Sequence, residues 1–278
     1  MKTIKKLDGF IDKKGRKIPT CSWLPSKAQC QIYATHGFSE HIACYQNMAE
    51  TLCEKGMAVH MMDLPGHGMA EGVRGHIDSH HEFLDNLEQF ILENPHHYKS
   101  KPLYLLGHSL GGLISALYCL SRENNVKGLI LSAPLMGFSK LDVAKVLPLA
   151  KHLAKKQRNI PFPKPIGVES LSRNPDQWNV YYSDPFRGRM ISPGLYLEMT
   201  RMIERLKIER SAFNLPLLMF ISSKDTVVYP QAAQQFFKSV VSEDKSMIVF
   251  TEAMHELFQE KESSQMIEII ESWIMERL

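Results

Sequence analysis

What is missing narrows the field first. No stretch of the 278-residue chain approaches the roughly 18 uninterrupted apolar residues of a membrane-spanning helix. The five cysteines, Cys21, Cys30, Cys44, Cys53 and Cys119, are odd in number and form no CxxC pair, which argues against a disulfide framework, a thiolate metal site or a dithiol redox centre. Neither sign of charge dominates: 33 Lys and Arg against 30 Asp and Glu leave a formal +3, too little to argue for nucleic acid. The amino-terminal "MKTIKKLDGFIDKKG" is basic but lacks the apolar run of a secretion signal. Internal repeats and low-complexity segments are absent too. The expectation is a soluble cytoplasmic protein with reduced thiols, resting at most on a membrane surface. It should use no metal, no organic cofactor and no nucleic-acid partner; its oligomeric state stays open.

What is present is a rhythm. "KLDGFIDKKGRKIPTCSWL" reads as a hairpin turning at Lys13 to Gly15, and "QCQIYATHG" as a strand ending in glycine. "ACYQNMAETLCEKG" is an amphipathic helix stopped by Gly56, "MAVHMMDLPGHG" a strand with a Pro-Gly exit, and "HHEFLDNLEQFILENP" a helix ended by Pro95. A strand from Pro102 to Leu106, a helix from Leu110 and the strand "VKGLILSAP" follow. The alternation fails between Pro134 and about Lys207, then resumes with "LPLLMFIS", "PQAAQQFFKSV", "SMIVF" and "SSQMIEIIESWIMERL". Strands alternating with helices predict an α/β fold whose mostly parallel sheet is covered on both faces. The economical division is a core from 1–134 and 208–278, with a helical cap, 135–207, inserted after the sixth strand.

Gly107-His108-Ser109-Leu110-Gly111 stands at a strand-to-helix joint and fits the G-x-S-x-G nucleophile elbow. A sharp turn there holds the serine in a strained conformation, so its neighbours must be small enough for chain segments to pass closely. A serine hydroxyl needs a base, and in this architecture the triad follows the order Ser, Asp or Glu, His. Only His152 and His255 follow Ser109. His152 lies inside a helical pattern, whereas His255 follows the strand "SMIVF", so His255 is the predicted base. Asp225 follows the apolar run "LPLLMFIS" and is the predicted orienting carboxylate. Asp142, Asp176 and Asp184 fall in the insertion, and Asp244 precedes a strand, at the wrong edge. The developing oxyanion needs two donors, assigned to the amides of Leu110 and Phe38.

"HGFSEH", "DLPGHG", "GHSLGG", "LSRNPD", "YYSDP", "SSKDTVV" and "AMHELF" occur in the order found in the monoacylglycerol lipase and bacterial lysophospholipase branch of the α/β-hydrolases, which the chain resembles along nearly its whole length. The resemblance implies an eight-stranded sheet with a lid over the site. It carries the triad onto Ser109, Asp225 and His255 and the oxyanion donors onto Phe38 and Leu110. Glu40, His108 and Tyr181 match polar positions near the headgroup pocket. Two departures stand out: Ala70 where this branch often has serine, and Cys44 where its lipases commonly carry an arginine just before Tyr45.

The expected activity is hydrolysis of the acyl ester of a single-chain lipid, a monoacylglycerol or a lysophospholipid, through an acyl-enzyme. The alternatives are an acyltransferase using the same triad and a non-catalytic binding module on the same fold. Dehalogenase and epoxide hydrolase readings need an aspartate where Ser109 stands. In "LDVAKVLPLAKHLAKKQR" the apolar residues, from Leu141 and Val143 to Leu153 and Ala154, span a wide arc beside a basic face. Pro148 should kink or split that helix. Two roles are open to it: a lid helix packed wholly on its own domain, or a lid that docks its apolar side on lipid, with its lysines drawn to anionic headgroups.

Overall fold

The structure, a computed structural model, describes residues 3–138, 140–163 and 166–278. The side chains of 140–143 also lie outside the described residues, and with them the expectations placed on Leu141, Asp142 and Val143.

β1 (Ile4–Ile11) and β2 (Lys17–Leu24) form the expected hairpin, with Gly15 at φ +76° in its turn. β3 (Cys30–Thr35) leads through a 3-10 turn into α1 (Gln46–Glu54), and Gly56, at φ +87°, reverses the chain into β4 (Met57–Met62). Then follow α2 (His81–Glu93), β5 (Leu103–His108), α3 (Leu110–Ser121) and β6 (Val126–Ser132). Between β6 and the next long strand lie α4 (Lys140–Lys156), β7 (Phe162–Pro163), α5 (Pro175–Ser183), β8 (Met190–Ile191) and α6 (Pro193–Glu209). The chain closes with β9 (Leu217–Ser222), α7 (Pro230–Ser239), β10 (Lys245–Phe250) and α8 (Ser263–Met275).

Eight strands form one sheet in the order β1-β2-β4-β3-β5-β6-β9-β10; β2 runs against its neighbours and the pairs from β4 to β10 are parallel. β7 and β8 make only a two-residue ladder. The apolar strands bury both faces, and side-chain alternation sorts them. Leu105, Leu129, Leu131, Leu217 and Met219 join the core under α2, α3 and α6. Their neighbours Tyr104, Leu106, Ile130, Leu218 and Phe220 join the core under α1 and α8. Burying each such leucine stabilises the fold by about 1.5–3 kcal/mol, which makes the central strands a rigid mount.

Pro148 does not split α4. Its missing N–H removes one hydrogen bond, but Val146, Leu147 and Ala150 pack on the core beside α6 and keep the helix in one piece. The wide apolar arc is therefore turned mostly inward. Leu149, 54% exposed, stands among Lys145, His152, Lys155 and Lys156 on the outer face.

Candidate active site

Parallel pairing brings five strand ends to one edge. Thr35 pairs with Gly107, His108 with Ser132, Ser132 with Phe220 and Ser222 with Phe250, so the carboxyl ends of β3, β5, β6, β9 and β10 finish level. The loops leaving that edge carry the sequence candidates. Such an edge is where ligands bind in open α/β sheets.

Ser109 caps α3 with φ +51° and ψ −116°, a left-handed conformation that a non-glycine residue adopts only when its surroundings enforce it. The enforcement is steric. A Cβ at Gly107 would lie 2.4 Å from the Gly111 carbonyl oxygen, and one at Gly111 would lie 2.1 Å from that of Thr35. The Ser109 amide donates to the Ser132 carbonyl at 3.0 Å, locking the turn to β6. The hydroxyl thus sits at the amino end of α3, where the first amides have no intrahelical acceptor.

The structure brings the three triad candidates into one chain. His255 Nε2 lies 3.0 Å from Ser109 Oγ, and His255 Nδ1 lies 2.7 Å from Asp225 Oδ2. The Asp225 carboxylate can only accept, so Nδ1 carries the proton and Nε2 is free to accept from the serine. Asp225 Oδ1 accepts from the amides of Val227 at 2.8 Å and Val228 at 3.1 Å, which fixes the carboxylate plane. Burial alone would depress the His255 pKa, but the charge and hydrogen bond of Asp225, with Glu256 and Glu40 beyond, raise it above the ordinary histidine value. His152 is exposed on the outer face of α4, away from this chain.

Phe38 follows β3 in the loop where the second oxyanion donor was expected. Gly37 permits the approach: a Cβ there would lie 3.1 Å from the Ser109 Cβ and 2.7 Å from Glu40 Oε2. His36 anchors the loop. Its Nδ1 donates to the Gly37 carbonyl at 2.8 Å, and its Nε2 accepts from the Leu64 amide at 2.9 Å. That wiring fixes one neutral tautomer, and burial pushes its pKa down to about 4.

A narrow pocket of about 30 Å³ opens over Ser109. Phe38, Ile166, Leu171 and Val227 supply apolar wall; Glu40, His108 and Glu256 supply polar wall beside His255. Glu40 Oε2 accepts from the Gly37 amide at 2.7 Å and the Tyr45 hydroxyl at 2.6 Å. Burial opposes its ionisation, but His108, Arg187 and the Tyr45 hydroxyl outweigh burial and hold the carboxyl below its usual range. Burial lowers the His108 pKa; its Nδ1 lies 3.1 Å from the Ser132 hydroxyl. Tyr181 is set behind the wall, packed with Val168 and Leu171 and 5.2 Å from the Arg187 guanidinium carbon.

Arg187 and Glu256 escaped the sequence reading. Both are buried, with Nη1 2.5 Å from Oε1 and Nη2 3.1 Å from Oε2. The Arg187 charge acts on Glu256, Cys44 and Glu40, so a guanidinium reaches the neighbourhood of position 44 from another part of the chain. Burial pushes the Cys44 thiol up, which keeps it protonated. The one usable signal was adjacency, since Glu256 directly follows the predicted base. All five cysteines are free. Among the described residues, His41, Cys44 and Asp184 are the group spaced closely enough to ligate an ion, but His41 Nε2 and Asp184 Oδ2 already satisfy each other at 2.7 Å.

The fold and the strand-end site define an α/β-hydrolase. A profile of the Hydrolase_4 family, described as serine aminopeptidase S33, matches residues 26–262, and the chain belongs to that family. Phospholipase YtpA of Bacillus subtilis (strain 168) is 30% identical over 244 residues, covering 87% of this chain and 93% of that protein. Monoglyceride lipase of Rattus norvegicus is 29% identical over 266 residues, covering 92% and 86%. Among solved structures, the monoacylglycerol lipase of Paleococcus ferrophilus superposes with TM-score 0.84 at 25% identity over 100% of both chains. A soluble variant of the Saccharomyces cerevisiae monoglyceride lipase superposes with TM-score 0.87 at 20% identity, covering 99% and 96%, a likeness of fold.

Proposed function

We propose that this protein is a serine carboxylester hydrolase that cleaves the acyl ester of a single-chain lipid, a monoacylglycerol or a lysophospholipid. Ser109 attacks the ester carbonyl while His255 Nε2 takes its proton. Asp225 holds the imidazole tautomer and stabilises the imidazolium, and the amides of Phe38 and Leu110 hold the oxyanion. The tetrahedral intermediate collapses to an acyl-Ser109 ester as His255 returns the proton to the leaving alcohol. Water then attacks the acyl carbon by the same steps in reverse, and free fatty acid and Ser109 are restored.

The observation that carries this reading is the hydrogen-bonded chain Asp225–His255–Ser109 beneath an apolar-walled cavity. The family description names an aminopeptidase, which would need a free carboxylate for the substrate ammonium. Glu256 has both oxygens on Arg187, and Glu40 accepts from Gly37 and Tyr45 through Oε2, so neither carboxylate is wholly free for an ammonium, which favours an ester substrate.

In this reading residues 135–207 form a cap over the site. Its α4 face, with Lys145, Lys155, Lys156 and Leu149, rests on the lipid surface from which substrate is drawn. No helix among the described residues is long and apolar enough to cross a membrane; the contact in this reading is peripheral, at a cytoplasmic surface.

The test is turnover of a panel of monoacylglycerols, lysophospholipids, short aryl esters and aminoacyl anilides by the native protein and by Ser109→Ala. Release of fatty acid by the native protein and none by Ser109→Ala is expected. Full esterase activity in Ser109→Ala, or cleavage of anilides alone, would overturn the assignment. Transfer of acyl groups to added alcohol in preference to water would point to an acyltransferase.

A further inference from the structure

We infer that Arg187 is a positioning residue for His255: by gripping both oxygens of Glu256 it fixes the turn that presents the imidazole to Ser109. The inference rests on the serine-hydrolase reading above.

His255 is carried on a turn that leaves the sheet: the Ser222 hydroxyl of β9 donates to the Ala253 carbonyl and the Ser223 hydroxyl to that of Thr251 at 3.1 Å, both short of the histidine. β10 ends at Phe250, and no regular element supports the chain again until a 3-10 turn begins at Leu257. The backbone at 255 and 256 is held by the segment between β7 and α5. The His255 amide donates to the Ser170 carbonyl at 3.4 Å, and the Glu256 amide to the Leu171 carbonyl at 2.8 Å. The Glu256 side chain is held by Arg187, from the segment between α5 and β8, in a two-bond fork that fixes its plane as one bond does not.

The same short segment reaches the other side of the site. Asp184 accepts from His41 Nε2 at 2.7 Å, the Gly188 amide donates to the Ser39 carbonyl at 3.3 Å, and the Ser39 hydroxyl donates back to the Gly188 carbonyl. Residues 184–188 therefore hold the Phe38 loop and the His255 turn together. The groups meant to act on the oxyanion and on the leaving oxygen are set by one piece of chain.

Stability alone is a poor reason for this pair. Desolvating an arginine and a glutamate offsets much of their attraction, and a pair of apolar side chains would hold the segment as well. Arg187 Nε, moreover, is buried without a partner, so the side chain is placed for its fork with Glu256 and not for complete hydrogen bonding. The fork also manages charge. His255 faces Asp225, Glu256 and Glu40, with the His108 ring 4.9 Å away and Ser109 at 3.0 Å. Arg187 stands against two of those three carboxylates.

The test uses kcat, KM and the pH profile on a soluble short-chain aryl ester. The variants are Arg187→Met, Arg187→Lys, Glu256→Gln and the double Arg187→Met/Glu256→Gln, with folding checked by thermal unfolding. Arg187→Met should lower kcat about 10- to 100-fold, the cost of a displacement of roughly 1 Å, with KM changed less than about threefold. Arg187→Lys should recover part of the loss. Glu256→Gln should lower kcat to a similar extent and move the acid limb to lower pH, since it deletes a negative charge facing His255. The double variant should be no slower than the slower single variant, because the two side chains act as one unit. Native kcat in Arg187→Met, a loss confined to KM, or a double variant equal to the product of the singles would overturn the inference. If Arg187→Met does not fold, an unchanged kcat and acid limb in Glu256→Gln would overturn it alone. Full activity in Ser109→Ala would instead remove the reading beneath it, whatever Arg187 does.

Discussion

Asp225→Asn offers a test whose size follows from the geometry. Asparagine is the same shape as aspartate, so the question is which way its amide points. The amides of Val227 and Val228, 2.8 and 3.1 Å from Oδ1, demand an acceptor there, so the asparagine oxygen takes that place. Its NH2 then faces His255 Nδ1, where Asp225 Oδ2 now sits at 2.7 Å. A donor at that position forces the proton onto Nε2, and an Nε2–H cannot accept from Ser109. To regain the reactive tautomer the amide must flip, leaving two buried N–H groups without acceptors at about 1–3 kcal/mol each. A total of about 2–6 kcal/mol corresponds to a loss of roughly 30- to 10⁴-fold, and serine-protease triads lose about 10⁴-fold on the same change. The assay is kcat/KM on a short-chain aryl ester, normalised to fluorophosphonate-labelled sites, with the melting temperature measured alongside. A folded Asp225→Asn protein within about fivefold of native activity would show that another group orients His255.

Two further outcomes can be measured on the same material. Because the folded-state pKa of His255 is raised, kcat/KM should climb with pH through a midpoint above the ordinary 6.5, as the imidazole loses its proton; a midpoint at or below 6.5 contradicts the electrostatic account. The sign for stability is opposite: the His255 contribution is complete below its unfolded pKa and fades as pH rises through the folded one. Leu149→Glu should weaken binding to anionic vesicles and lower turnover of long-chain lipid while sparing a soluble ester, and added salt should weaken vesicle binding by the native protein. Equal losses on both substrates would place Leu149 in ordinary surface packing.

The sheet was legible in the sequence because each strand is a short apolar run and each helix a longer amphipathic one, so the two periods separate cleanly. Leu105 and Leu106 fall into opposite cores as alternation along β5 requires. The candidates Ser109, Asp225 and His255 were legible because each lies just past the end of a parallel strand, and parallel strands end at one edge. Arg187 was not: its partner Glu256 is 69 residues away, and their meeting depends on the path of the chain between α5 and β8, which has no repeating pattern to read. Position 44 shows the same limit. The sequence displays a cysteine where an arginine was expected, but not that Arg187 brings its charge there through space. Tyr181 was expected, from the resemblance, at a polar position near the headgroup pocket, yet its depth behind Leu171 follows from packing alone.

The wiring of His36 has a consequence for how acid acts on this molecule. Twelve histidines could in principle confuse any titration of the protein. Four of the buried ones are pushed down by loss of water: His36 to about 4, His60 and His67 to about 3, and His108 in the same direction. The His36 and His67 rings are 5.7 Å apart, so charging either makes charging the other harder still. His255, held by Asp225, moves the opposite way. Mild acid therefore protonates His255, the candidate base, before it reaches His36 in the loop that carries Phe38. The neutral histidines add stability above pH ~6.5 that is lost as pH falls toward their depressed values. On acidification, protonation of His255 thereby precedes protonation of the buried His36, His60 and His67.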